Sequence, residues 1–174
     1  MSNGGRYFYG DAGLIEILLP KLELMETAAG GYAAVYKDPL TNSFWLKYYA
    51  TTATPGGGYL TLMRLPAPST TKLIDIAIST VFEDEAVAAV LRLLDEESVE
   101  KKDFRLQLVE QLEASVEAQG ISAERAYQIV KFANLTDTTN IREVIGKTAA
   151  QVQEDATYFA GIAKRAERLI KRLS

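Results

Sequence analysis

The chain contains neither cysteine nor histidine. Without cysteine there is no disulfide, no thiolate zinc site and no cysteine nucleophile; the composition is consistent with a reducing cytosol. Without histidine, the commonest general base, the commonest metal ligand and every histidine-containing triad are also removed, so catalysis would have to rest on carboxylates, Lys, Tyr or Ser. Both absences weigh against an enzyme, and no cofactor is expected. Proline is scarce, and none follows Pro68. Long apolar runs are missing too: residues 14–19 form a short stretch interrupted by Glu16, which fits neither a signal peptide nor a membrane span.

What is present suffices for a core. The 174 residues are 48% hydrophobic, enough for one domain or one domain with an appended helical element. The net charge of -4 is unevenly spread: residues 71–100 carry two basic and eight acidic groups, whereas residues 101–174 carry twelve basic and ten acidic. Acidity concentrated around residues 83–100 disfavours a general nucleic-acid-binding role.

Residues 31–65 read as strands. "GYAAVYK" and "SFWLKYY" flank "DPLTN", where Pro39 presets a turn corner, Asp38 suits the turn start and Asn42 a left-handed exit. "YLTLMRL" then alternates Leu60, Leu62 and Arg64 against Tyr59, Thr61, Met63 and Leu65. A three-stranded antiparallel meander is expected, with residues 12–25 as a covering helix that Pro20 would cut. After "LPAPS" the apolar period becomes helical. Helices are expected over residues 71–79, 84–96, 101–119 (capped by Gly120) and 123–134 (capped by Ser122). A fifth begins after Asn140, whose spacing to Glu143 suggests a capping box, and runs to about Leu173. Along it Ile145, Ala149, Val152, Ala156, Phe159, Ala163, Ala166, Ile170 and Leu173 alternate spacings of four and three, the pattern of a coiled-coil seam rich in alanine. The expected class is therefore α+β: a β-meander part over residues 1–68 and a helical part over 69–174 with a long last helix, or one continuous domain.

The glycine run Gly56, Gly57, Gly58 invites a phosphate-loop reading, but such a loop needs a strand before it, a helix after it and usually a Lys-Ser/Thr end. Here a strand follows and no lysine is near, so a hairpin connection is expected, glycine supplying positive φ. Tyr7, Phe8, Tyr9, Trp45, Tyr48 and Tyr49 lack an accompanying basic stripe and read as sheet core rather than a base-stacking platform. Lys164, Arg165, Arg168, Lys171 and Arg172 suit a helix C-terminus. The acidic residues Glu83, Asp84, Glu85, Asp95, Glu96 and Glu97 admit three readings. Asp84 would cap a helix whose other carboxylates are solvated, the set would form an acidic docking surface, or it would supply metal or acid–base chemistry.

Residues 30–65 resemble the conserved hairpin of the bacterial Immunity protein 27 family. Tyr36, Lys37, Asp38 and Pro39 match its Tyr-basic-Asp-Pro turn, Phe44 and Trp45 its aromatic-Trp pair, Tyr48 or Tyr49 its following tyrosine, and Gly56–Gly58 its triple glycine. "GGRYFYGD" is similar to an upstream glycine pair and aspartate in that family. Leu46 stands where members commonly carry an acidic residue, and Tyr59-Leu60 where they carry a proline pair. The resemblance implies a small cytoplasmic α+β protein that neutralises a polymorphic toxin by binding it, without catalysis. A cognate toxin, basic if it is a nuclease, would then meet the six α-helical carboxylates. An alternative of another class is an adaptor that self-associates through residues 141–173.

Overall fold

A computed structural model describes residues 5–52 and 57–174. The class is α+β, and the chain divides into two compact units, Met1–Lys102 and Asp103–Ser174. The first unit holds the sheet together with the first two long helices.

In the first unit, β1 (Phe8–Tyr9), β2 (Glu23–Thr27), β3 (Ala34–Lys37), β4 (Phe44–Ala50) and β5 (Tyr59–Leu65) form one antiparallel sheet in the order β1-β5-β4-β3-β2. The expected meander is its centre, and two strands are added at the edges. Pro20 does end the first helix: α1 (Ala12–Leu18) passes into a 3-10 turn over Leu19–Lys21, and β2 follows. The 12–25 segment is thus helix and then strand.

The turn residues act as their chemistry requires. The Asp38 carboxylate accepts from Leu40 N–H at 2.9 Å, and Asn42 takes φ 60° while its N–H donates to the Asp38 carbonyl. At the β4–β5 connection Gly58, at φ 102°, donates its N–H to the Ala50 carbonyl, as a hairpin closure should. Gly56 and residues 53–55 lie outside the described residues, as do residues 1–4.

Register decides which side chains share a face. Tyr9, Trp45, Leu60 and Leu62 meet Ile15, Leu14 and Leu18 of α1 on one face, and the Tyr9 and Trp45 rings are 5.5 Å apart. Phe8, Ala50, Thr61 and Met63 are buried on the other, where α3 (Glu83–Glu100) packs on β1 and β4 and is backed by α2 (Thr70–Ser79). The cover stops there: β3 is mostly half-buried, and all five residues of β2 are exposed.

The second unit is three helices: α4 (Arg105–Glu117), α5 (Ala123–Phe132) and α6 (Ala149–Leu173). Ser122 caps α5 as expected, accepting from Arg125 N–H at 3.1 Å. The expected long helix from Asn140 is shorter. Asn140 instead accepts from Arg142 N–H within a loop, Gly146 turns at φ 79°, and the capping box is Thr148 with Gln151. Within α6, Phe159, Ala163 and Ala166 of the expected seam are buried with Ile162 and Leu169, and α6 packs on both α4 and α5. That part of the seam is satisfied inside the unit.

The end of α4 holds a testable strain. Gln119, not Gly120, takes the left-handed conformation at φ 57°, while Gly120 N–H reaches the Ser115 carbonyl and Gln119 N–H the Val116 carbonyl, the two bonds of a Schellman motif. Glycine carries no Cβ penalty there. Gln119→Gly is expected to stabilise the protein by about 0.5–1 kcal/mol, read as a raised denaturation midpoint in urea.

Candidate functional site

Four of the six acidic residues of α3 are engaged within the first unit. Helix α3 starts at Glu83 with Phe82 at its N-cap, which corrects the reading of Asp84 as cap. A carboxylate drawn to a nearer partner is unavailable for capping, and Asp84 has one. Its Oδ2 accepts from Arg6 Nη2 at 2.6 Å and from Gly10 N–H at 3.0 Å. Arg6 is buried, donates twice to the Phe8 carbonyl, and lies over the rings of Tyr9 and Phe82 at 4.1 and 4.2 Å. Gly10 has no room for a side chain: a Cβ would stand 2.8 Å from the Asp84 carbonyl oxygen.

Glu85, 4% exposed, is also spent internally. Its Oε2 accepts from Tyr7 N–H at 2.6 Å and Phe8 N–H at 3.0 Å, and its Oε1 from the Thr80 hydroxyl at 2.5 Å. Two backbone donors, one just before and one at the start of a two-residue edge strand, are thereby paired by a side chain from the packed helix. Asp95 does the same for the β4 end, both oxygens accepting from Thr51 N–H at 3.0 and 3.1 Å, with Thr51 at φ 55°. Burial pushes the Asp95 carboxyl up from its ordinary value, against the Thr51 hydrogen bond and Arg92, which lower it.

Glu96, likewise 4% exposed, lies 3.5 Å from Arg92 Nε and 3.7 Å from Lys102 Nζ through Oε1. Its Oε2, Arg92 Nε and the Tyr48 hydroxyl are buried without a hydrogen-bond partner, and burial pushes the Tyr48 phenol up. Glu83 is exposed and Glu97 half-buried. Of the six, then, four serve the inside of the first unit. The signal that sequence reading lacked is the partner: Asp84 and Glu85 act on residues more than seventy positions earlier. Among the described residues, no three acidic groups gather as metal ligands would.

Pairing a carboxylate with distant cations also fixes the loop before α6. Asp155 accepts from Lys147 Nζ at 2.5 Å and Arg142 Nη1 at 2.7 Å, and these bonds hold its carboxyl below the usual carboxylate range. A lowered folded pKa means the tie is complete above the unfolded carboxylate value and is lost as pH falls through the folded one. Amide exchange over residues 141–148 is therefore expected to accelerate beyond the intrinsic pH effect only as pH falls below about 4 in the wild type, and Asp155→Asn to abolish that excess. Arg165 is similarly engaged by Glu113, so the basic end of α6 is partly neutralised within its own unit.

Large apolar side chains of the edge strand β2 stand exposed. Leu24 and Met25 of β2 are 58% and 53% exposed, and Ile17, Tyr32 and Leu40 are exposed as well. Sequence reading missed it because "ELMET" has no clean alternation: the β2–β3 register shifts between Leu24 and Glu26, a bulge at Met25. Shallow cavities are present among the described residues. One of about 250 Å³ is lined by Arg6, Tyr7, Lys72, Asp75 and Phe82 among others, and one of about 300 Å³ by Ala123, Tyr127, Ile170 and Leu173. No helix among the described residues is long and apolar enough to cross a membrane.

No family model, curated protein or solved structure matches the chain.

Proposed function

We propose that this chain is a non-enzymatic binding protein of the toxin-immunity kind, which neutralises a cognate toxin in the cytoplasm by covering it. The observation that carries the reading is the sheet edge at β2, a strand paired on one side, where the large apolar side chains of Leu24 and Met25 stand exposed. Large apolar side chains exposed side by side on an edge strand favour a protein-binding surface. The resemblance of residues 30–65 favours the immunity reading, and the turn at Asp38 and Pro39 within it is formed, the Asp38 carboxylate accepting from Leu40 N–H. The chemistry of α3 agrees with it: Asp84, Glu85 and Asp95 hold backbone in place.

The six-carboxylate docking surface is narrowed accordingly. Glu83, exposed, and Glu97, half-buried, are retained as the proposed partner contacts, whereas reversing Glu85 or Glu96 would bury a cation inside the unit and report on folding instead. The immobilised full chain, exposed to a lysate of cells expressing the toxin, should retain a protein with a toxic enzymatic activity. Retention of no specific protein would contradict the reading. Self-association through α6 is less favoured by the packing of Phe159, Ala163 and Ala166 within the second unit.

A further inference from the structure

We propose that β2 is the docking edge, and that it receives an extended partner strand alternating basic and apolar side chains. The inference rests on the binding-protein reading and specifies how the partner is held. Strand β2 is the last in the sheet order, pairs only with β3, and is exposed at all five residues. Its outward backbone groups can be identified. Ala28 N–H donates to the Ala33 carbonyl at 2.8 Å, so Ala28 faces β3; by alternation Glu26 does too, and Thr27 presents its N–H and C=O to the open side.

The side chains choose the occupant. Glu23 and Glu26 share one face, opposite Lys37 and Val35 of β3, and Leu24 lies on the other, opposite Tyr36. Glu23 has a lysine across from it, but Glu26 has valine, so the outer position on that face is acidic without a cation directly opposite. An incoming strand with Lys or Arg on the glutamate face and an aliphatic residue beside Leu24 gains backbone hydrogen bonds, charge pairing and apolar contact together. A second copy is refused by the same residues, since edge-to-edge pairing of two β2 strands gathers four glutamates at one seam. The glutamates and the bulge that protect this edge from self-pairing thus select a basic partner.

The test uses two synthetic peptides, acetylated and amidated TKVKVKT and TEVEVET, titrated into the full chain and followed by backbone amide chemical shifts. The basic peptide is expected to shift Leu24 and Thr27 and to bind at least about tenfold tighter than the acidic one at low salt. The Glu23→Lys/Glu26→Lys protein, on exposed positions that leave the fold intact, should reverse that preference. Thr27→Pro, which removes an outward N–H, should weaken the basic peptide roughly tenfold. Absence of binding, equal binding of both peptides, shifts confined to other strands, or an unreversed preference in the double variant would each overturn the edge assignment. None of these outcomes touches the toxin-binding reading, which stands or falls on the capture experiment.

Discussion

Replacing Glu85 by alanine should destabilise the protein by about 3–5 kcal/mol, a large share of the 5–15 kcal/mol that a domain of this kind has. The magnitude follows from what is lost. Tyr7 N–H and Phe8 N–H, paired by one carboxylate oxygen, would be left without acceptors, and the Thr80 hydroxyl would lose its partner on the other. Each stranded buried donor costs about 1–3 kcal/mol. Glu85→Gln separates charge from geometry. Its amide oxygen can still accept from both backbone N–H groups while its NH2 donates to the Thr80 oxygen, so the loss should shrink to about 1–2 kcal/mol. Urea denaturation measures both variants, and amide exchange at Tyr7 and Phe8 locates the damage. If Glu85 were a surface docking residue, both substitutions would fall within about 0.5 kcal/mol of wild type.

Phe159→Ala should cost about 3–5 kcal/mol, and Ile145→Ala less than about 0.5. The two positions are equivalent in the coiled-coil pattern of the sequence, two heptads apart, so the contrast separates packing within the unit from packing against a partner helix. Phe159 is 2% exposed, stands edge-on to Tyr158 at 5.3 Å between ring centroids, and has the Arg105 and Arg142 guanidinium groups over it. Ile145 is 88% exposed and precedes α6 altogether. Truncating the first opens a cavity under the helix; truncating the second removes atoms from water. A self-associating helix would give a large effect at both sites and a denaturation midpoint that rises with protein concentration. The structure predicts one large effect and no concentration dependence.

Tyr158 shows why such ties escape a reading by period alone. Its hydroxyl donates to Asp103 Oδ1 at 2.6 Å and accepts from Leu106 N–H at 3.1 Å, joining α6 to the entrance of α4. Burial, and after it the Asp103 carboxylate, push its phenol up from the ordinary value. In the sequence it is one more tyrosine on a helix.

Local chemistry was legible where its partner is near. The Asp38–Asn42 turn, the Ser122 cap and the β3-β4-β5 pairing all join residues within one motif or adjacent strands, and each forms as the residue types require. Strand β1 was not legible because two residues carry no period; it exists through Asp84, Glu85 and Met63, all far along the chain. Nor was the start of α6, since Asn140, Glu143 and Ile145 imitate a capped amphipathic turn. Gly146 followed by Thr148 and Gln151 was the stronger signal there. The acidic run misled for a related reason: a row of carboxylates reads as surface unless one knows which backbone N–H groups lie underneath.

The most direct test of the account as a whole is a titration of toxin activity. Purified chain is added in increments to the captured toxin, with its enzymatic activity read at each molar ratio. The account predicts a linear fall that reaches zero at one equivalent, displaced to large excess by the Glu23→Lys/Glu26→Lys protein. Full toxin activity in the presence of excess wild-type chain would contradict it.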